Sequence, residues 1–276
     1  NLIAKSDMPY KTALNHTYDS GDFIGNMELA VKDADWENFN NRKDSSIKNN
    51  KLRGIGLSTY IEACSGGGPE EATIILENDG SVTVHIGTQS NGQGHETAYQ
   101  QILCEYLDIE PDKVKIIQGD SDLIAFGAGT GGSRSVPVGG AAIKVASEDI
   151  LKQTKILAAK KLNIKEENIE YKEGIFTAEG TNLSTTIEEL AIDSEIPISA
   201  SKQWTPPNYT FPNGCHVCEL EVDKDTGQIE LKKYTVVDDF GQIINPNMLA
   251  GQVHGGIAQG FGQAVLEHTV YDDDSG

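Results

Sequence analysis

A strand, a glycine-laden loop and a helix follow one another between Ser81 and Leu107, and this junction narrows the fold more than any other stretch. Ser81-Val82-Thr83-Val84-His85-Ile86 alternates as a half-buried strand does, and AYQQILCEYL (residues 98–107) carries helical spacing. Between them GTQSNGQGHET (residues 87–97) holds three glycines, two glutamines, an asparagine, a histidine and a glutamate, but no lysine. Glycine lets a backbone take positive φ and approach a ligand closely. A helix N-terminus offers unpaired N–H groups and a partial positive charge. Gln89, Asn91 and Gln93 add neutral donors and acceptors. The plain alternative is a strand–helix turn with no ligand. No Gly-Lys-Ser/Thr follows, so this is not a nucleoside-triphosphatase phosphate loop, and the missing G-x-G-x-x-G leaves a nicotinamide fingerprint unsupported.

Two further stretches share this character. Thr130-Gly131-Gly132-Ser133-Arg134-Ser135 lies in a second glycine-rich loop, GAGTGGSRSVPVGG, that opens a long helix over about residues 141–161. Arg134 could fork onto an oxyanion; equally, Ser135 could cap the helix while Arg134 pairs with a surface carboxylate. The third stretch, GQVHGGIAQGFG (residues 251–262), puts five glycines in twelve residues of a helical pattern. Each costs a helix roughly 1 kcal/mol. Glycines four apart admit a close backbone or a flat ligand, with Gln252 and Gln259 beside that surface; tight helix–sheet packing would serve as well.

The rest of the chain bounds the possibilities. The formal net charge of -20 disfavours nucleic acid and anionic membrane surfaces, and no apolar run could span a membrane. Cys215 and Cys218 form a C-x-x-C without a second ligand pair, in a strand pattern that sends them to opposite faces. His95 and His254 lie near glycine loops but make no metal site, and no Ser–His–Asp pattern occurs. Glu70 and Glu71 read as structural acids. Residues 1–26 read as an extended connector. Residues 28–40 have helical spacing, and a charged, asparagine-rich stretch then leads to a strand in RGIGLSTYIEAC. Hairpins are expected about Asn78-Asp79-Gly80, Glu173-Gly174 and Asp225-Thr226-Gly227, a short helix capped by Ser184, and a strand beginning at VYD (residues 270–272). This rhythm predicts an α+β fold with mixed sheets.

In order and spacing, GTQSNGQGHETAYQQI, GAGTGGSRSVPVGGAAI, TFPNGCHVCELEVDKDTGQI, VVDDFGQIINP and GQVHGGIAQGFGQAVLE resemble the large subunit of the molybdenum hydroxylases, the xanthine dehydrogenase, aldehyde oxidase and carbon monoxide dehydrogenase family. The resemblance covers nearly the whole chain. It implies a two-layer α/β molybdopterin-binding subdomain at residues 28–276, C-terminally incomplete, preceded by a connector at residues 1–27. It implies molybdopterin with molybdenum, as the cytosine dinucleotide, held through Gly92, Gln93, Gly94, His95, Thr130, Gly131, Gly132, Ser133, Arg134, Ser135 and Gln252. No residue here is expected to ligate the metal, because the pterin's dithiolene does so.

The reaction it implies is hydroxylation of an aldehyde or N-heterocycle with oxygen from water. Electrons would leave through 2Fe-2S clusters on an iron–sulfur subunit to FAD on a flavin subunit, in a cytoplasmic dimer of heterotrimers. The family's catalytic glutamate, in a Gly-Glu motif, is matched by no residue here, so the fragment is expected to be inactive alone. The alternatives are a carbon monoxide dehydrogenase large subunit and, from another class, a non-catalytic cofactor-binding or assembly module.

Overall fold

The computed structural model describes residues 2–66 and 68–276. It divides into two compact units, Asn1–Gly66 with Pro207–Gln242, and Gly67–Pro206 with Ile243–Gly276.

In the first unit the leading residues are not a bare connector. Strands β1 (Tyr10–Lys11) and β2 (Thr17–Tyr18) pair antiparallel. Helix α1 (Phe23–Asp33) is capped by Asp22, whose carboxylate accepts the Gly25 N–H at 3.0 Å. The helix expected over residues 28–40 therefore starts earlier and stops at Asp33, because Asp35 takes a left-handed φ of 55°. The asparagine-rich stretch, where no element is expected, forms α2 (Phe39–Lys48). Tertiary bonds override its poor local propensity: Ser46 Oγ donates to Glu221 at 2.5 Å, and Arg42 forks onto Glu219 with both bonds at 2.9 Å. The strand in RGIGLSTYIEAC is present as β3 (Lys51–Ile61).

The second unit begins with the expected hairpin, β4 (Glu70–Leu76) and β5 (Val82–Ile86), turned by Gly80 at φ 84°. Both strands alternate buried and half-buried residues. Helix α3 (His95–Leu107) leads to β6 (Val114–Gln118), which runs parallel to β5. After the second glycine loop, a π-helical turn (Ser135–Gly140) feeds α4 (Ala141–Leu162). Then come β7 (Ile169–Lys172), β8 (Ile175–Ala178) and β9 (Ser184–Thr186), a small antiparallel sheet.

Helix α5 (Ile187–Ile192) follows with its cap at Thr186 rather than Ser184. Thr186 stands three residues before Glu189: its hydroxyl accepts the Glu189 N–H at 3.0 Å while the Glu189 carboxylate accepts the Thr186 N–H at 3.3 Å, completing a capping box. β10 (Ile198–Trp204) closes a four-stranded sheet of order β10-β4-β5-β6 with one parallel pair, the expected mixed sheet. Ile74, Leu76, Val84, Ile86, Leu103, Ile143 and Ile150 fill the core where this sheet meets α3 and α4. Two layers, sheet and helices, thus bury one apolar face each.

The chain returns to the first unit with β11 (Asn213–Asp223) and β12 (Ile229–Asp239), giving a sheet of order β12-β11-β3. Its core joins Ala30 of α1 and Ala34 at its C-cap to Cys215 and Val217 of β11. Helix α6 (Pro246–Val265) ends the regular structure and belongs to the second unit; Asn245 caps it by accepting the Met248 N–H at 2.9 Å. Residues 270–272, expected to start a strand, form none.

Candidate cofactor-binding site

The three glycine-rich stretches meet in the second unit. The first loop leaves the carboxyl end of β5 and enters α3, where open sheets of this kind take ligands. Gly92 and Gly94 hold φ of 91° and 84°, conformations that side chains resist. Gln93 folds back so that its Oε1 accepts the Asn91 N–H at 2.5 Å. Gly94 is the N-cap of α3 and His95 its first residue, so the free N–H groups of that first turn sit beside Gln93.

The second loop is clipped to the first by one hydroxyl: Thr130 Oγ1 accepts the Gln89 N–H at 2.8 Å and donates to Gln89 O at 2.6 Å. Gly132 and Ser133 both take positive φ, 62° and 52°, and Arg134 returns to the right-handed region. A change of hand of this kind is the backbone feature from which anion-binding nests are built. A Cβ added at Gly92, Gly129 or Gly131 would meet nothing within 4 Å, so these backbones border open space. Helix α6 brings the third stretch in, with Gln252 Nε2 donating to Gln93 O at 3.4 Å.

Beneath the loops lies a polar foundation. The Tyr99 hydroxyl donates to Ser135 O at 2.9 Å and lies 2.7 Å from Thr88 Oγ1. Burial, only partly offset by these bonds, pushes the Tyr99 phenol up to about 12, so it stays a neutral donor. His95 is buried, with Nδ1 3.0 Å from Gln118 Oε1, and can offer a ligand its backbone rather than its ring.

Arg134 departs most from its expected setting. It is 2% exposed, and the carboxylate it pairs with is not a surface one but Glu70, which is fully buried. Sequence reasoning assigns Glu70 no partner, because the buried pairing of two charges 64 residues apart has no local signal.

Elsewhere in this unit a cavity of about 290 Å³, lined by Leu76, Val82, Ile109 and Ile187, involves none of the candidate residues. Among the described residues no cluster of three or more His, Cys, Asp or Glu could hold a metal ion, and no helix is long and apolar enough to cross a membrane. The glycines expected to admit a close backbone or a flat ligand in the third stretch, Gly251, Gly255, Gly256 and Gly260, meet no other element among the described residues within 4 Å of an added Cβ.

Comparison with known proteins identifies the family and the fold. Residues 29–276 match the molybdopterin cofactor-binding domain. The carbon monoxide dehydrogenase large chain of Afipia carboxidovorans is 33% identical over 99% of this chain and 37% of its own length. The nicotine 6-hydroxylase large subunit of Paenarthrobacter nicotinovorans is 30% identical over 97% of this chain and 36% of its own. Among solved structures, a Cu,Mo-CO dehydrogenase superposes with a TM-score of 0.87 at 32% identity, covering 99% of this chain and 38% of that one. Quinoline 2-oxidoreductase from Pseudomonas putida 86 gives 0.85 at 26%, over the same 99% and 38%. The chain thus spans little more than a third of these relatives, and it belongs to the molybdopterin cofactor-binding domain family, among the large subunits of the xanthine dehydrogenase and carbon monoxide dehydrogenase group.

Proposed function

We propose that this chain is the molybdopterin-binding part of a hydroxylase that oxidises an aldehyde or N-heterocycle. The observation that carries the reading is the convergence of three glycine-rich stretches through Gln252–Gln93 and Thr130–Gln89. Their donor set suits the group: neutral amides, hydroxyls and backbone N–H groups for a pterin and a pyrophosphate, with open backbone at Gly92 and Gly131 to admit them. Bound molybdopterin with molybdenum would supply the two-electron redox chemistry. Gln93 and Gln252 would bond the pterin near the metal. Gly92, Gly94 and the His95 N–H would receive it at the start of α3. Thr130, Ser133 and Ser135 would hold the pterin or its phosphate, and Gly131 and Gly132 would face the substrate.

The cytosine dinucleotide form, an iron–sulfur subunit with 2Fe-2S clusters, a flavin subunit with FAD, a dimer of heterotrimers and a cytoplasmic location complete the proposal. A second reading, a carbon monoxide dehydrogenase large subunit, is favoured by the 33% identity to that chain from Afipia carboxidovorans. The test is the molybdenum and pterin content of the full-length protein, purified with its native neighbours. Near-stoichiometric metal with an oxidisable pterin is expected. A well-folded, correctly matured preparation holding neither would replace the proposal with a non-catalytic module.

A further inference from the structure

We propose that Arg134 and Glu70 are a positioning pair that sets the spacing of the two glycine loops, and that Arg134 is not an oxyanion ligand. The inference rests on the cofactor reading above but is argued from the loops themselves. Arg134 Nη1 donates to Glu70 Oε2 at 2.7 Å and to Gly129 O at 2.9 Å; Nη2 donates to Gly68 O at 3.1 Å and Pro69 O at 2.6 Å. Four bonds spend both outer nitrogens. Nε is buried without a partner, so one donor is left and no fork remains for an oxyanion.

Glu70 is seated at the start of β4, where its Oε1 accepts the Glu71 N–H at 3.2 Å. That oxygen lies 2.5 Å from where a Gly87 Cβ would be, and the same Cβ would overlap Gly127 Cα. The two loops therefore cross backbone to backbone directly against the Glu70 carboxylate. From there one line of contacts runs through Arg134 to Gly129 O, and the next residue, Thr130, clips Gln89. Loop spacing is set from below, by a pair with almost no exposure to solvent.

The experiment uses the full-length protein and hydrogen–deuterium exchange of residues 87–94 and 127–135, with cofactor content measured in parallel. Glu70→Gln, Arg134→Gln and Arg134→Lys should each speed exchange in both loops by about tenfold or more, the consequence of losing one charge-assisted bond. Exchange of residues 142–159 in α4 should stay unchanged. Cofactor content should fall alongside, and the Glu70→Gln, Arg134→Gln double variant should be no worse than either single one. Arg134→Lys decides between the roles, since it keeps the charge and loses the fork. Wild-type loop exchange with full cofactor content in Arg134→Lys, or unchanged loops in Glu70→Gln, would overturn the pair. If either carboxamide variant fails to fold, loop exchange in Arg134→Lys alone upholds or overturns the pair. Loosened loops in variants of a wild type that carries no molybdopterin would keep the pair and remove the cofactor reading.

Discussion

Both compact units bury arginine–carboxylate pairs, and they use them differently. In the first unit Arg42 and Arg53 both bond Glu219, which is 2% exposed, while Glu221 takes Ser46 and Arg53. Every charge there has several partners, and the network ties α2 to the sheet and, through Arg42, to Asp35 and the Ala34 carbonyl just after α1. In the second unit Arg134 and Glu70 tie loops whose outer residues, Gln89, Thr130 and Gly131, remain exposed. A closed network of this sort secures a helix with little apolar surface of its own. A pair set under two glycine loops keeps open backbone in place. The difference shows that a buried ion pair reports function only through what it supports.

The comparison breaks most visibly at Glu219. Glu219→Ala leaves Arg42 and Arg53 without their shared partner and should cost about 3 kcal/mol. Denaturant unfolding of the full protein measures it, and loop exchange in residues 87–94 should not respond. Gly87→Ala attacks the other region. Its Cβ has no room between Gly127 and Glu70, so the crossing must open at a cost of roughly 1–3 kcal/mol, with loss of cofactor. A Gly87→Ala protein of normal stability and full cofactor content would show that the crossing is not rigid.

Acid sharpens the contrast further. Burial alone would raise Glu219, but hydrogen bonds from Arg42 and Arg53 outweigh it and hold the carboxyl below the usual range. Glu221 is held low as well, first by the Ser46 hydroxyl against the effect of burial. A carboxylate with a depressed folded value contributes stability that is complete above its unfolded value, about 4.3, and is lost as pH falls through the folded one. Unfolding free energy should therefore decline from about pH 5 downward. Glu219→Gln, which no longer titrates, should flatten that decline; an unaltered slope would mean that Glu219 is not a source of it.

Much of this was legible in the sequence because local chemistry decides it. Gly80 and Gly174 fix hairpins through φ of 84° and 75°, values few other residues accept, and both glycine loops sit at the strand and helix ends where alternation changes to helical spacing. What stayed hidden depends on partners far along the chain. Helix α2 exists because Arg42 meets Glu219 177 residues away. Nothing near Arg134 announces Glu70, and charge alone suggests a ligand. The cap of α5 lies two residues beyond its expected place because, of three successive hydroxyl residues, Thr186 is the one three positions before Glu189 and exchanges both capping-box bonds with it.

The smallest effect on stability should come with a large effect on function. Gln93 is half-buried and Gln252 exposed, and the bond between them is long, 3.4 Å from Gln252 Nε2 to the Gln93 carbonyl. Gln93→Ala and Gln252→Ala should each change unfolding free energy by less than about 0.5 kcal/mol, as surface substitutions do. On the proposed function each removes a donor aimed at the pterin, so molybdenum content or turnover of the complete enzyme should fall severalfold. Gln252→Ala leaves the Gln93 carbonyl to solvent, so its effect on the first loop should be slight. This is opposite in pattern to Glu219→Ala, where stability falls and the site is untouched. Full molybdenum loading and unchanged turnover in both glutamine variants would mean that these amides serve only the turn, and the convergence of the three stretches would lose its functional meaning.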